Sequence, residues 1–299
     1  MKLRFLLFLV IGMLAPYSST TAQVERLPRV AVLDLGSSEF GKLATADLYT
    51  ALAAQKEFTL LDREQSRAAA RGFGYTGSLN LTIVEARDLA AALGCDFFIT
   101  GDADMLRRSS SARPIYYEAY AAIFLVSGRT GRLLAWQRPG IQSSTPDEAT
   151  KSLRAELVDA GARQWIVQVV VRAMQAERVE RARAIAADIP VIEAAPDDDT
   201  PAEKGLQTPR PFRRLRPAYP ASAASADAEA TIDAVVDIDE QGEVGRVQIV
   251  RWGGFGLDDA TEATIHQLHF YPAMRNGKPI PMRVLLRYNF RKPPPEPKP

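Results

Sequence analysis

"FYPAMRNGKPIPMRVLLRYNF", Phe270 to Phe290, contains a tight-turn signal, Asn276-Gly277, then two prolines, then a strict alternation. Met282, Val284, Leu286, Tyr288 and Phe290 fall on one side, and Arg283, Leu285, Arg287 and Asn289 on the other. That is the period of a strand with one apolar and one wet face. Proline cannot donate to a sheet ladder, so Pro279 and Pro281 place this strand at a sheet edge, both at its start. An unpaired edge pairs with foreign chains unless something blunts it.

Upstream, "AEATIDAVVDIDEQGEV" makes Ala230, Ile232, Ala234, Val236 and Ile238 apolar, with Thr231, Asp233, Asp237 and Asp239 on the opposite face. "DEQGEV" turns this strand back and "GRVQIVRW" returns as the second strand of a hairpin. "GLDDATEATIHQL" then reads as a helix with acidic residues in its first turn and Leu257, Ala260, Thr264 and Leu268 on one face. The expectation is a small α+β domain over 218–291, a three-stranded antiparallel sheet with one helix on its apolar face. A solvated, proline-rich tail, 292–299, follows it.

The stretch 188–217 reads as a linker, because prolines recur there without apolar periodicity, beside an acidic run, Asp197 to Asp199, and a basic "RPFRRLRP". Before it, 29–187 alternates strands and helices. "RVAVLDL", "FTLLD" and "DFFITGDADM" are strands, separated by helices around Ala44 to Leu52, Glu64 to Arg71 and Ile83 to Leu93. Strands apolar throughout argue a mixed sheet covered on both faces, an α/β domain. "IYYEAYAAIFLVSG" and "RLLAWQ" add an antiparallel part. Pro146 to Ala187 reads as one long helix or as two consecutive helices with Gly161 as the break, and Trp165, Ile166, Val169, Val170 and Met174 are candidates for its buried face.

The chain has 299 residues, 46% hydrophobic and 24% charged, with a net charge of +1. Two domains fit that length, and the near-neutral balance gives no global field for nucleic acid or an anionic membrane. Lys2 and Arg4, the apolar run Phe5 to Ala15 and the small residues Thr20-Thr21-Ala22 have the form of a signal peptide, 1–22, cleaved after Ala22. The chain is therefore expected to be exported, and the resemblance given below implies the periplasm or the periplasmic face of the outer membrane as its location. A single cysteine, Cys95, gives no internal disulfide framework and reads as a small buried residue.

No motif assembles a catalytic, cofactor or metal site. "GFGYTG", Gly72 to Gly77, spells a dinucleotide fingerprint, but a helix precedes it where the mechanism needs a strand. His266 and His269 are the only histidines and lack further nominated ligands, which also leaves few candidate bases. "GDAD" and "PDDDT" lack the spacing of a calcium loop. The expectation is a protein that is not an enzyme, without cofactors and with no small-molecule substrate.

The segment from about Arg216 to Arg291 resembles the TonB C-terminal domain. The shared features are "RPAYP", "TIDAVVDIDEQGEVGRVQIVR", "GLDDATEAT" and "FYPAMRNGKPIPMRVLLRYNF"; Leu268 stands where that family often has a tryptophan. The resemblance implies a periplasmic module whose last strand pairs with an extended segment of an outer-membrane receptor or other envelope protein. It makes Arg283, Leu285, Arg287 and Asn289 the partner-binding row, with TonB-dependent transport as the setting. More loosely, Arg29 to Val170 resembles CsgG and TolB N-terminal-type envelope domains through "VAVLDL", "LAAALGCDFFITGDADM" and "IFLVSGRTGRLLAW". That implies as alternative a secretion or envelope assembly factor, with the Tyr116 to Val126 run as its candidate membrane strand. Homo-oligomerisation stays open.

Overall fold

The computed structural model describes residues 26–109, 115–186, 192–196 and 205–292. The expected signal peptide, 1–22, the acidic run 197–199 and the tail beyond 292 lie outside them. In the first domain β1 (Arg29–Leu35), α1 (Glu39–Ala53), β2 (Thr59–Leu60), α2 (Arg63–Phe73), α3 (Ile83–Leu93) and β3 (Phe97–Arg108) come first. β4 (Tyr116–Ser127), β5 (Leu133–Gln137), β6 (Gly140–Ser143), α4 (Pro146–Val158) and α5 (Ala160–Ala186) complete it. The sheet order is β2-β1-β3-β4-β5, with β6 also paired to β4. β2, β1 and β3 are parallel and the later pairs antiparallel, so the sheet is mixed as expected.

Both faces of this sheet are covered. Val30 and Val32 enter a core with α1, α4 and α5, while Ala31 and Leu33 enter a second core with α2 and α3. The Tyr116 to Val126 run is β4, held between β3 on one side and β5 and β6 on the other. α3 opens with a capping box between Thr82 and Glu85 and closes on left-handed Gly94. The break in the long helical stretch falls at Asp159, not Gly161: Asp159 is extended and its carboxylate accepts from the Gly161 amide at 3.0 Å. It thus ends α4 and caps α5. Among the described side chains of α5, Ile166, Val170 and Ala173 are buried.

The second domain is built from β7 (Leu206–Gln207), β8 (Arg210–Pro211), α6 (Ala221–Ala226), β9 (Ala230–Ile238) and β10 (Val244–Arg251). α7 (Leu257–Ile265), β11 (Phe270–Tyr271), β12 (Ala273–Arg275), β13 (Lys278–Ile280) and β14 (Met282–Phe290) follow. The principal sheet is β10-β9-β14, antiparallel, with α7 packed on it. Three details differ from the sequence reading. α7 buries Leu257, Thr261 and Ile265, a row one position on from Ala260 and Thr264, because packing on the sheet fixes its rotation. Pro279 belongs to a separate hairpin, β12 with β13, across Asn276-Gly277, both at positive φ, so only Pro281 stands directly before β14. The proline-rich stretch is also paired where it is described: β7 adds to the β12–β13 hairpin at β12, and β8 pairs with β11 as a separate two-stranded sheet.

The two domains share a core. Trp252, just past β10, is 2% exposed and packs among Leu89, Phe98, Phe124 and Val126 of the first domain. Its indole N–H donates to the Gly131 carbonyl and its backbone N–H to Leu81, each at 3.1 Å. Phe124 stacks on it at 6.1 Å and meets Phe255 edge-on at 5.2 Å. Gly254 is left-handed, and a Cβ there would lie 2.1 Å from the Phe124 ring, so only glycine lets the loop approach this closely. Asn80 completes the seam, donating to the carbonyls of Thr231 and Trp252 and accepting from the Thr231 amide. Replacing Trp252 with alanine removes the largest shared side chain and its indole donor. Denaturant unfolding of this variant is expected to show a loss of about 3–5 kcal/mol and separate transitions for the two domains.

Asp258, in the first turn of α7, accepts from the amides of Gly253 and Gly254 at 3.0 and 2.8 Å and so fixes the loop that presents Trp252. Burial outweighs those two donors and pushes its carboxyl up from 3.8 to about 6. A raised carboxyl contributes fully below its unfolded value, and that contribution is lost as pH rises through about 6. Asparagine at 258 does not titrate. Between about pH 4.5 and pH 7.5, the unfolding free energy of Asp258→Asn minus that of the parent is expected to move by about 2 kcal/mol in favour of asparagine. A constant difference across that range in denaturant titrations would contradict this ionisation.

Candidate functional site at the edge of the last strand

The β10-β9-β14 sheet has two outer strands, and their edges differ. Along β10, Arg251 bridges Thr82 of the first domain. At its other end Glu243 bridges His269, and the Phe270 amide donates to Gly242 at 2.9 Å. β10 is therefore tied at both ends by the chain itself.

β14 pairs with β9 without interruption from Met282↔Ile238 to Phe290↔Ala230. Its inward side chains Val284, Leu286, Tyr288 and Phe290 join the cores under the sheet and Met282 is fully buried, as the alternation predicts. The Arg283 amide donates to the Glu193 carbonyl, and the Arg283 carbonyl accepts from the Ala195 amide, both at 2.7 Å. The peptide groups of Arg283 thus point away from β9. Because both groups of alternate residues face the same way in a strand, those of Leu285, Arg287 and Asn289 point outward too. Among the described residues, no backbone partner meets those three on that side.

Residues whose peptide groups point out of the pair form the closely spaced, non-hydrogen-bonded cross-strand pairs. This places Arg283 opposite Asp237 and Arg287 opposite Asp233. Both contacts are two-pronged: Arg283 reaches Asp237 at 2.6 and 2.9 Å, and Arg287 reaches Asp233 at 2.7 and 3.0 Å. Arg251 adds a second cation beside Asp233 at 3.3 Å. Burial alone would push the Asp233 carboxyl up, but Arg287 and Arg251 together hold it below the usual carboxylate range. Asn289 accepts from the Thr231 hydroxyl at 2.7 Å. Leu285, opposite Val235, is 56% exposed.

The four sequence-predicted residues therefore lie in one row along the wet face of β14, but they are not equivalent. Arg283 and Arg287 have their charge engaged by β9, and Leu285 is the open apolar position. The arginines' partners were missed, although Asp233 and Asp237 at i and i+4 on one strand mirror Arg287 and Arg283 on the other. Arg275 and Glu193 were missed as well; their ion pair at 2.9 and 2.6 Å joins β12 to the stretch before β7.

Elsewhere, Cys95 lies partly buried under the first sheet, and burial pushes its thiol up to about 12, which keeps it un-ionised. Gly72 to Gly77 begins in the last turn of α2 and ends before Thr82, the cap of α3, with no strand leading into it. His266 and His269 are exposed beside Glu262 and Glu243. Among the described residues, no group of three or more His, Cys, Asp or Glu side chains is placed to hold a metal, and no helix is long and apolar enough to cross a membrane.

The family comparison bears on the second domain. The family described as Gram-negative bacterial TonB protein C-terminal matches residues 216–291. Among solved structures, the TonB C-terminal domain of Pseudomonas aeruginosa is 18% identical, covering 30% of this chain and 88% of its own, with a TM-score of 0.25. The LpoB C-terminal domain of Salmonella enterica is 20% identical over 41% of this chain and 87% of its own, with a TM-score of 0.28. Lipoprotein GNA1162 of Neisseria meningitidis is 13% identical over 50% and 98%, with a TM-score of 0.31. No curated protein matches the chain. The sheet order, the helix beneath it, the closing strand and the family match converge on one assignment: residues 216–291 form a TonB C-terminal-type domain.

Proposed function

We propose that this chain is a non-enzymatic envelope protein whose TonB-type domain captures an extended peptide of an outer-membrane receptor or another envelope protein by adding it to β14. The observation that carries the reading is the outward set of peptide groups at Leu285, Arg287 and Asn289, on an edge whose opposite number, β10, is tied by the chain itself. In strand addition the backbone supplies affinity and the flanking side chains choose the partner. Here the arginines neutralise Asp233 and Asp237, so the wet face offers little free charge, and Leu285 is its apolar contact. The shared core at Trp252 makes the first domain a rigid mount for this edge, and TonB-dependent transport is the process such a module suits.

Proline at position 285 discriminates between this reading and a side-chain docking surface. The Leu285 amide is not used within the sheet, so an edge strand accepts proline there, whereas an added strand loses a donor in the middle of its ladder. Affinity capture of envelope proteins by the full chain is expected to lose its partners in Leu285→Pro while the circular dichroism spectrum is retained. Unchanged capture by a folded Leu285→Pro variant would count against strand addition.

A further inference from the structure

The Arg283 end of the β14 edge is not empty. Glu193, Ala194 and Ala195 lie along it as a short parallel bridge, Ala194 opposite Arg283, with one backbone hydrogen bond on each side of that residue. The Glu193 side chain is held separately. Its two carboxylate oxygens meet the two terminal nitrogens of Arg275, and this contact keeps the carboxyl below its ordinary range. The segment thus makes both kinds of contact that strand addition uses, backbone pairing and one side-chain anchor, on the edge assigned to the partner.

We infer that Glu193–Ala195 is an intramolecular competitor for that edge, and that the partner it stands in for is an extended peptide running parallel to β14 with a carboxylate for Arg275. This rests on the strand-addition reading of β14 and specifies its regulation. The contact is suited to competing, not to locking. It comprises two backbone bonds and one exposed ion pair, the latter weakened by salt, and a tethered segment compensates for modest strength by its high effective concentration. A partner that pairs only with Leu285 to Asn289 would bind beside the segment. One that needs Arg283 or Arg275 must displace it, and its apparent affinity falls by the fraction of time the edge is covered.

Two variants of the full chain test this without altering β14. Ala195→Pro removes the amide that donates to Arg283, and Glu193→Lys turns the Arg275 contact into repulsion. The first readout needs no partner. In either variant, hydrogen exchange at the Arg283 amide is expected to rise to the rate of Leu285 and Arg287, while Val284, whose amide faces β9, is unchanged. The second readout uses a capped synthetic peptide with the chain's own residues 190–196, PVIEAAP. It is expected to shift the backbone NMR signals of Met282 to Leu285, the stretch its register with Arg283 reaches, and to bind Ala195→Pro about tenfold tighter than the parent, as for an edge covered nine-tenths of the time. The same peptide with lysine in place of glutamate is expected to lose that affinity. If exchange at Arg283 is unchanged in both variants, the inference falls whatever the peptide does. Equal binding to parent and variant, with shifts along the edge, overturns the competitor and leaves strand addition standing. A labile Arg283 amide with no peptide-induced shift in the variant overturns strand addition at this edge, and the competitor role with it.

Discussion

Trp252 sits where the second domain's hairpin ends and inside the first domain's hydrophobic core, and the arrangement of everything downstream follows from that placement. Its ring needs burial and its indole N–H needs an acceptor; Phe124 and the Gly131 carbonyl provide them. The backbone beside it is satisfied in the same seam by Leu81 and by the Asn80 amide group. A side chain of this size, shared between two cores, couples their stabilities, because neither domain keeps its packing if the other withdraws.

That coupling has a consequence for the small sheet. Docking through the Arg251 end of β10 ties one edge to the first domain and leaves β14 as the remaining edge. The wet face of β14 is neutralised from within by Arg283 with Asp237 and Arg287 with Asp233. Charged residues commonly protect an edge by repelling strangers. Here they are tied to the neighbouring strand, and protection at the Arg283 end comes from the chain's own Glu193–Ala195 instead.

Much of this was legible in the sequence. Alternation over Ala230–Ile238 and Met282–Phe290 gave the two paired strands, and Asn276-Gly277 marked a turn. Apolar runs separated by helical periods foretold a sheet covered on both faces. The errors have local causes: Asp159 takes over the helix break as a cap, and α7 rotates to put Thr261 and Ile265 on the sheet. The hairpin β12–β13 absorbs Pro279, because a two-residue turn with positive φ at both positions closes on itself before β14 begins. The candidate row on β14 was readable by period alone, but which of its charges were already paired was not.

The sequence by itself determined most of the local elements, the faces of the two long paired strands and the last strand as an edge, since each depends on residues within a few positions of one another. The tertiary structure decided that the domains share a core through Trp252, that β10 is tied down, and that a stretch read as linker covers part of the β14 edge. Those outcomes join residues far apart in the chain, such as Asn80 with Trp252 and Glu193 with Arg275. Their energies arise only when separate surfaces are brought together, which no local period records.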